Sequence, residues 1–279
     1  MSDLRVAAST FPYLYSHSGL DAVLHLGDMG YREFEMMIFP PHCWPAELGA
    51  SERRRWKAVF DDNGYSFTSF CYPLLDNNPN SVDRLMRRYT LDRYLEAVDL
   101  AAEWNCPYVV MIPGPVNSLI NPPDQWMYDW FVEAARAVVA YAKPSGVGIL
   151  LENVPFTFLP TVDHMIGVAR DIGDVAINFD LCNSAYIKED VPGAIRKLGD
   201  LCRNVHVSDT TYGEFLHARL GTGVVEPGPA AAALRDIGYT GATVLEIIAD
   251  ATRPENDPDG DIEASHAILA EHGWRPLGA

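Results

Sequence analysis

The sequence predicts an α/β protein of the (β/α)8 TIM-barrel class. Three observations point there: eight short apolar runs, longer segments of helical period between them, and a length of 279 residues that suits eight such units. Strands covered by helices on both sides read as near-continuous apolar stretches, as these runs do. No Ser/Gly linker or shift in composition divides the chain, so residues 1–279 are expected to form a single barrel domain.

Val6–Ser9 opens the series, followed by Glu33–Ile38 (EFEMMI) and Ser66–Cys71 (SFTSFC). Leu91–Trp104 then repeats apolar residues at i, i+3 and i+4, the spacing of one helical face. Tyr108–Ile112 and Val147–Leu151 are the fourth and fifth runs, with the helical stretch Trp130–Ala142 between them. Val175–Phe179, Asn204–Val207 and Ala242–Ile247 complete the set. Most of these runs are too short for helices and are bounded by Gly, Pro or polar residues. Irregular insertions are expected at Pro40–Gly49, Leu74–Ser81, Pro113–Asp124 and Thr252–Asp261, after the second, third, fourth and eighth strands. Loops in those places build the active-site face of such a barrel.

Composition narrows the function classes. A hydrophobic content of 48% with 11% aromatics supports a sizeable core, and a formal net charge of −17 argues against nucleic acid or anionic membrane as a partner. The opening residues MSDLRVAAST lack a basic-then-apolar leader pattern, and no apolar run approaches a membrane span, so a cytoplasmic location is expected. The five cysteines are scattered without a C-x-x-C pair, which fits reduced thiols used as small buried hydrophobes. The first βα unit has no G-x-G-x-x-G, which weakens a dinucleotide-binding alternative.

Chemistry concentrates at the ends of the last four strands. The strand in GVGILLENV ends at Glu152, DVAINFDLCN places Asp180, RNVHVSDT contains His206 and GATVLEIIAD contains Glu246. Taken singly, an acidic strand end is most often a helix cap or ion-pair partner, and a strand histidine a satisfied core group. Four on consecutive strands of a barrel converge on one axis, and three carboxylates that close repel one another unless a cation sits among them. Three carboxylates and one imidazole suit a Mn²⁺-, Mg²⁺- or Co²⁺-like ion better than a thiolate-rich zinc site, and the expected cofactor is a divalent ion, Mn²⁺ first, with Mg²⁺, Co²⁺ or Zn²⁺ as alternatives. His17, His25, His42, His164, His266 and His272 lie in helical or loop contexts and read as surface or packing residues. His217 and Arg219 differ, because the turn HARLGTG after the seventh strand can deliver both to a bound substrate.

With LLENV, INFDLCN, NVHVSDT, H-x-x-x-G-x-G and TVLEI in place, nearly the whole chain resembles the xylose isomerase-like TIM-barrel family, in its sugar phosphate isomerase/epimerase and inosose dehydratase branch. The resemblance implies that Glu152, Asp180, His206 and Glu246 bind the metal. It also implies that Glu152 and Glu246 act as an acid/base pair on opposite faces of the substrate. Many relatives read Asp-x-x-His after strand six, whereas this chain has Asn183, an amide that can bond a substrate hydroxyl but cannot titrate near neutrality. Val154 likewise replaces a polar residue. The endonuclease IV branch needs further His and Asp ligands at the places where Asn183 and Phe215 stand, which argues against DNA repair.

The expected activity is a metal-dependent isomerisation or epimerisation of a ketose-like sugar or oxo-polyol, with glutamate-mediated proton transfer through a metal-bound enediolate. A lyase of the same fold, a dehydratase or an eliminating deglycosidase, is the alternative, with Trp44, Tyr72, Trp126, Tyr128 and Tyr186 available to stack on a substrate. A non-catalytic sugar-binding protein has no need for paired carboxylates around a metal. The extended loops leave room for a homo-oligomer.

Overall fold

The computed structural model describes residues 3–73, 75–248 and 256–275. Eight parallel strands close into a ring: β1 (Arg5–Ser9), β2 (Glu33–Met37), β3 (Ser66–Cys71), β4 (Tyr108–Met111), β5 (Gly148–Glu152), β6 (Val175–Asp180), β7 (Cys202–Val207) and β8 (Ala242–Leu245). They pair in chain order, and β8 returns to β1 with Arg5 opposite Ala242 and Ala8 opposite Leu245. Each apolar run of the sequence has thus become a strand, with Ser66–Cys71 matching at both ends and the others differing by no more than two residues at an end.

Among the described residues the α-helices are α1 (Gly19–Asp28), α2 (Ala50–Asp62), α3 (Arg84–Glu103), α4 (Asp124–Ala142), α5 (Val162–Ile172), α6 (Leu181–Tyr186), α7 (Val191–Leu198), α8 (Pro227–Asp236) and α9 (Pro258–Glu271). Their starts are written in local chemistry: Ser18, Asp83, Thr161, Asp180, Asp190 and Asp257 each accept a hydrogen bond from a first-turn backbone N–H. In α5, Val162, Met165, Val168, Ala169 and Ile172 form the buried stripe. α3 and α4 begin well before the apolar periodicity that predicted them. The Asp257 cap makes Pro258 onward helical, so the expected irregular insertion Thr252–Asp261 ends earlier; its residues 252–255, like Leu74 of the third-strand insertion, lie outside the described residues.

The main core lies between the ring and its helices, and a small second cluster of Ala7, Ala242 and Val244 is packed separately. Side chains two apart on a strand share a face. Val244 therefore shares its face with Glu246, and Ala7 with Ser9, which places small apolar groups beneath the polar ones inside the barrel. All five cysteines are buried and unpaired, as expected. No described helix is long and apolar enough to cross a membrane.

Candidate metal centre

The four strand-end residues meet. One donor atom from each of Glu152, Asp180, His206 and Glu246 lies within 4.8 Å of every other. All four side chains are buried at the C-terminal end of the ring. Parallel register explains the meeting: Glu152 is opposite Asn178 and Asp180 opposite His206, while Glu246 N donates to Val207 O at 3.0 Å and extends the β7–β8 ladder.

A polar layer one pleat deeper orients the cluster. Asn178 Nδ2 donates to Glu152 Oε2 at 3.1 Å, and Asn178 Oδ1 accepts from Asn204 Nδ2 at 3.0 Å. Glu35 on β2 accepts from Ser69 Oγ at 2.7 Å and lies 2.8 Å from His206 Nε2. The interior of a TIM barrel is ordinarily filled with branched apolar side chains. Here the layer is polar because it supports the carboxylates above it. The sequence reading missed Glu35, Asn178 and Asn204. A signal existed, since each is a polar residue at an inward position of an apolar run, the same feature that marked His206.

Asp180 answers two demands with its two oxygens. Oδ1 accepts from Asn183 N at 2.7 Å and caps α6, whereas Oδ2 is buried without a hydrogen-bond partner. The helix-cap explanation and the ligand explanation for Asp180 are therefore both met. Asn183, also buried, donates from Nδ2 to Asn153 O at 2.8 Å and to Glu152 Oε1 at 3.5 Å, leaving its Oδ1 unpartnered.

The turn after β7 brings in His217. Asp209 is fully buried, and its carboxylate accepts from the backbone N–H groups of Thr222, Gly223 and Val225 at 3.1, 2.8 and 2.9 Å. The loop thus wraps around one side chain. A Cβ on Gly223 would overlap the Thr210 carbonyl oxygen, and Gly221 has φ +83°, so both glycines of HARLGTG have a structural reason. His217 Nδ1 ends 3.0 Å from Ser208 Oγ and 3.2 Å from Glu246 Oε2. Gly223→Ala is expected to lower stability by about 1–3 kcal/mol, because the displaced atom is backbone in a packed loop. Urea denaturation checks this, and an unchanged midpoint would show that the loop can shift freely.

Arg219 is not brought in: it stays exposed, near enough to Asp261 to offset part of the burial that raises that carboxyl. Of the five aromatic residues considered for stacking, Trp44 and Tyr72 are core residues packed 5.9 Å apart between ring centroids. Trp126 lies beside Trp130, and Tyr128 Oη donates to Asp171 at 2.5 Å. Tyr186 alone of the five groups with Phe156 and Phe215, and Phe215 meets the His217 ring edge-on at 5.2 Å.

The donor set fits a divalent cation. Burial pushes Glu152 well above the usual carboxylate range and Asp180 up to about 6. Burial opposes a charge on His206, yet Glu246, Glu35 and Glu152 hold its imidazole well above the ordinary value. Burial would also raise Glu246, but His206 and His217 hold its carboxyl well below the usual range. Asp180 Oδ2 and His206 Nδ1 are buried without hydrogen-bond partners, 3.9 Å apart. Burying like charges together is strongly unfavourable without a compensating cation, and oxygen-rich donors with one imidazole match a hard or borderline divalent ion. The cluster can hold one.

Comparison with known proteins agrees with this architecture. The model of the family described as a xylose isomerase-like TIM barrel matches residues 24–272. Fructoselysine 3-epimerases of Shigella flexneri and Escherichia coli O157:H7 are each 26% identical over 238 residues, covering 79% of this chain and 82% of theirs. The solved structure of a D-tagatose 3-epimerase-like protein superposes with a TM-score of 0.82 at 21% identity, over 96% of this chain and 97% of that one. That of an L-ribulose 3-epimerase gives 0.80 at 18% identity, over 98% and 94%. At such identities the structural likeness establishes the fold.

Proposed function

The chain belongs to the xylose isomerase-like TIM-barrel family, and from that premise we propose that it is a divalent-metal-dependent epimerase or isomerase of a ketose-like sugar or oxo-polyol. The observation that supports this most is the convergence of Glu152, Asp180, His206 and Glu246 within 4.8 Å at the active-site end of the barrel. These four residues would hold the ion, with Mn²⁺ preferred. When bound, the ion supplies Lewis-acid polarisation of the substrate's neighbouring carbonyl and hydroxyl oxygens.

The chain's own residues then move protons. Glu152 ends β5 and Glu246 follows β8, three places apart in the ring, so their carboxylates reach a substrate from different sides. One glutamate takes the proton from the carbon beside the carbonyl, and the released electron pair moves toward the carbonyl oxygen. The other returns a proton to the opposite face of that carbon, which inverts it. Asn178 steadies Glu152 through Oε2, and His217 stands against Glu246. Asn183 offers its unpartnered Oδ1 to a substrate hydroxyl. The named activities of the fructoselysine relatives favour inversion over transfer to the neighbouring carbon.

Incubation of the Mn²⁺-loaded protein with a panel of ketoses in deuterium oxide tests the proposal. The expected result is an epimer carrying one deuterium at the inverted carbon. Loss of water or of an aglycone would instead identify a lyase, and absence of both exchange and product across the panel would remove the enzymatic reading.

A further inference from the structure

Glu35 has no part in the proton transfer just described, yet it is fully buried beneath the cluster, and both its oxygens have partners inside the barrel. An ionised carboxylate there is strongly disfavoured unless it satisfies a specific neighbour. That neighbour is His206, whose ring faces two competing arrangements. In one, Nε2 carries the hydrogen and donates it to Glu35 Oε2, 2.8 Å away. In the other, Nε2 accepts from Asn178 Nδ2 at 3.1 Å, and Nδ1 carries a hydrogen toward Glu246 Oε2 at 3.3 Å. Neither gives Nδ1 a hydrogen-bond partner of good geometry, and only the first leaves a lone pair on Nδ1 for a metal ion.

We propose that Glu35 is a positioning residue that selects between them: it retains the hydrogen on His206 Nε2, turning an unprotonated Nδ1 toward Glu152, Asp180 and Glu246. A hydrogen on Nε2 donated to the Glu35 oxygen 2.8 Å away leaves that nitrogen no lone pair with which to accept from Asn178. Asn178 Nδ2 carries two hydrogens and donates to Glu152 Oε2 at 3.1 Å in either arrangement, so the choice of hydrogen acts on His206 alone. Ser69 on β3 anchors Glu35 from the far side, so β2 and β3, which contribute no ligand to the cluster, set the chemistry of the imidazole on β7. This inference rests on the metal-binding reading of the cluster.

Glu35→Leu removes the acceptor at similar volume, and Glu35→Gln keeps an acceptor oxygen without the charge. Two measurements are made: Mn²⁺ affinity by calorimetry, and nitrogen NMR of ¹⁵N-imidazole-labelled protein loaded with diamagnetic Zn²⁺, with His206 assigned by its loss in His206→Gln. The parent should show a hydrogen on Nε2 and none on Nδ1. Glu35→Leu should lose the Nε2 hydrogen signal and bind Mn²⁺ about 10–100-fold more weakly while its far-ultraviolet dichroism is unchanged. Glu35→Gln should retain the signal. Parent-like affinity in Glu35→Leu, or a parent ring without a hydrogen on Nε2, overturns the proposal. If Glu35→Leu does not fold, the parent spectrum decides it, because a parent ring without a hydrogen on Nε2 contradicts the acceptor role. A parent that binds neither ion sinks the metal reading alone; the metal-free spectra then judge Glu35 by whether an Nε2 hydrogen bond is present in the parent and lost on its substitution.

Discussion

Replacing Glu152 or Glu246 with glutamine is expected to lower turnover about 10²–10⁴-fold, the usual contribution of a positioned general acid or base. The amide is nearly isosteric and can still accept the hydrogen bond that Asn178 gives to Glu152, so the barrel should fold unchanged. It cannot take a proton from carbon. The two variants should also differ from each other in a way that simple damage does not produce. With one glutamate gone, the survivor can still exchange hydrogen with solvent in the epimer whose C–H bond faces it. Each variant should therefore wash deuterium into one epimer and not the other, with no interconversion between them. Metal content must be measured alongside, because both residues belong to the proposed ligand set. A variant with full metal content and an undiminished rate would remove that glutamate from proton transfer.

Divalent-ion binding is expected to stabilise the protein strongly. Saturation at 100 times Kd is worth about 2.7 kcal/mol, which for a chain of this size raises Tm on the order of 5 °C. The ion acts on groups that are costly to keep buried together: Glu152 and Asp180 are raised by burial, Asp180 to about 6, and His206 is raised by the carboxylates around it. The sign of the pH effect follows. Without metal, Asp180 binds its proton more tightly folded than unfolded, so it contributes stability below about pH 4 that is lost as pH rises through about 6. With metal, coordination requires the unprotonated ligands, so stabilisation is lost as pH falls through the same window. The gap in Tm between metal-loaded and metal-free protein should widen as pH is raised from 5 to 7. A gap that is constant across that range, measured by scanning calorimetry with Mn²⁺ and with chelator, would place the ion elsewhere.

Much of this molecule was legible in its sequence, and the legible part has a common physical basis. Strands buried on both faces must be apolar, so VAINF or YVVMI announces itself without tertiary information. The helix start at Asp257 depends on contacts only a few residues away, yet the sequence reading carried the irregular insertion past it to Asp261. A charged or imidazole side chain inside an apolar run is an exception that a one-dimensional reading detects, and that exception located Glu152, Asp180, His206 and Glu246.

What the sequence by itself determined was the eightfold rhythm of strands and the four residues in which that rhythm is broken by chemistry. What only the tertiary structure decided was how those residues are held. Glu35 and His206 lie on strands far apart in the chain, and ring closure alone brings them to 2.8 Å. His217 is buried against Glu246 while Arg219, two residues on, stays outside, and the backbone of Ala218 between them pairs with that of Asp209. The same closure leaves Tyr186 near the site and withdraws Trp44 and Tyr72 into the core. The burial of a strand on both faces is a local property that a continuous apolar run records. The partner of a buried polar atom is not, because it depends on register and pleat across a ring that exists only once folded.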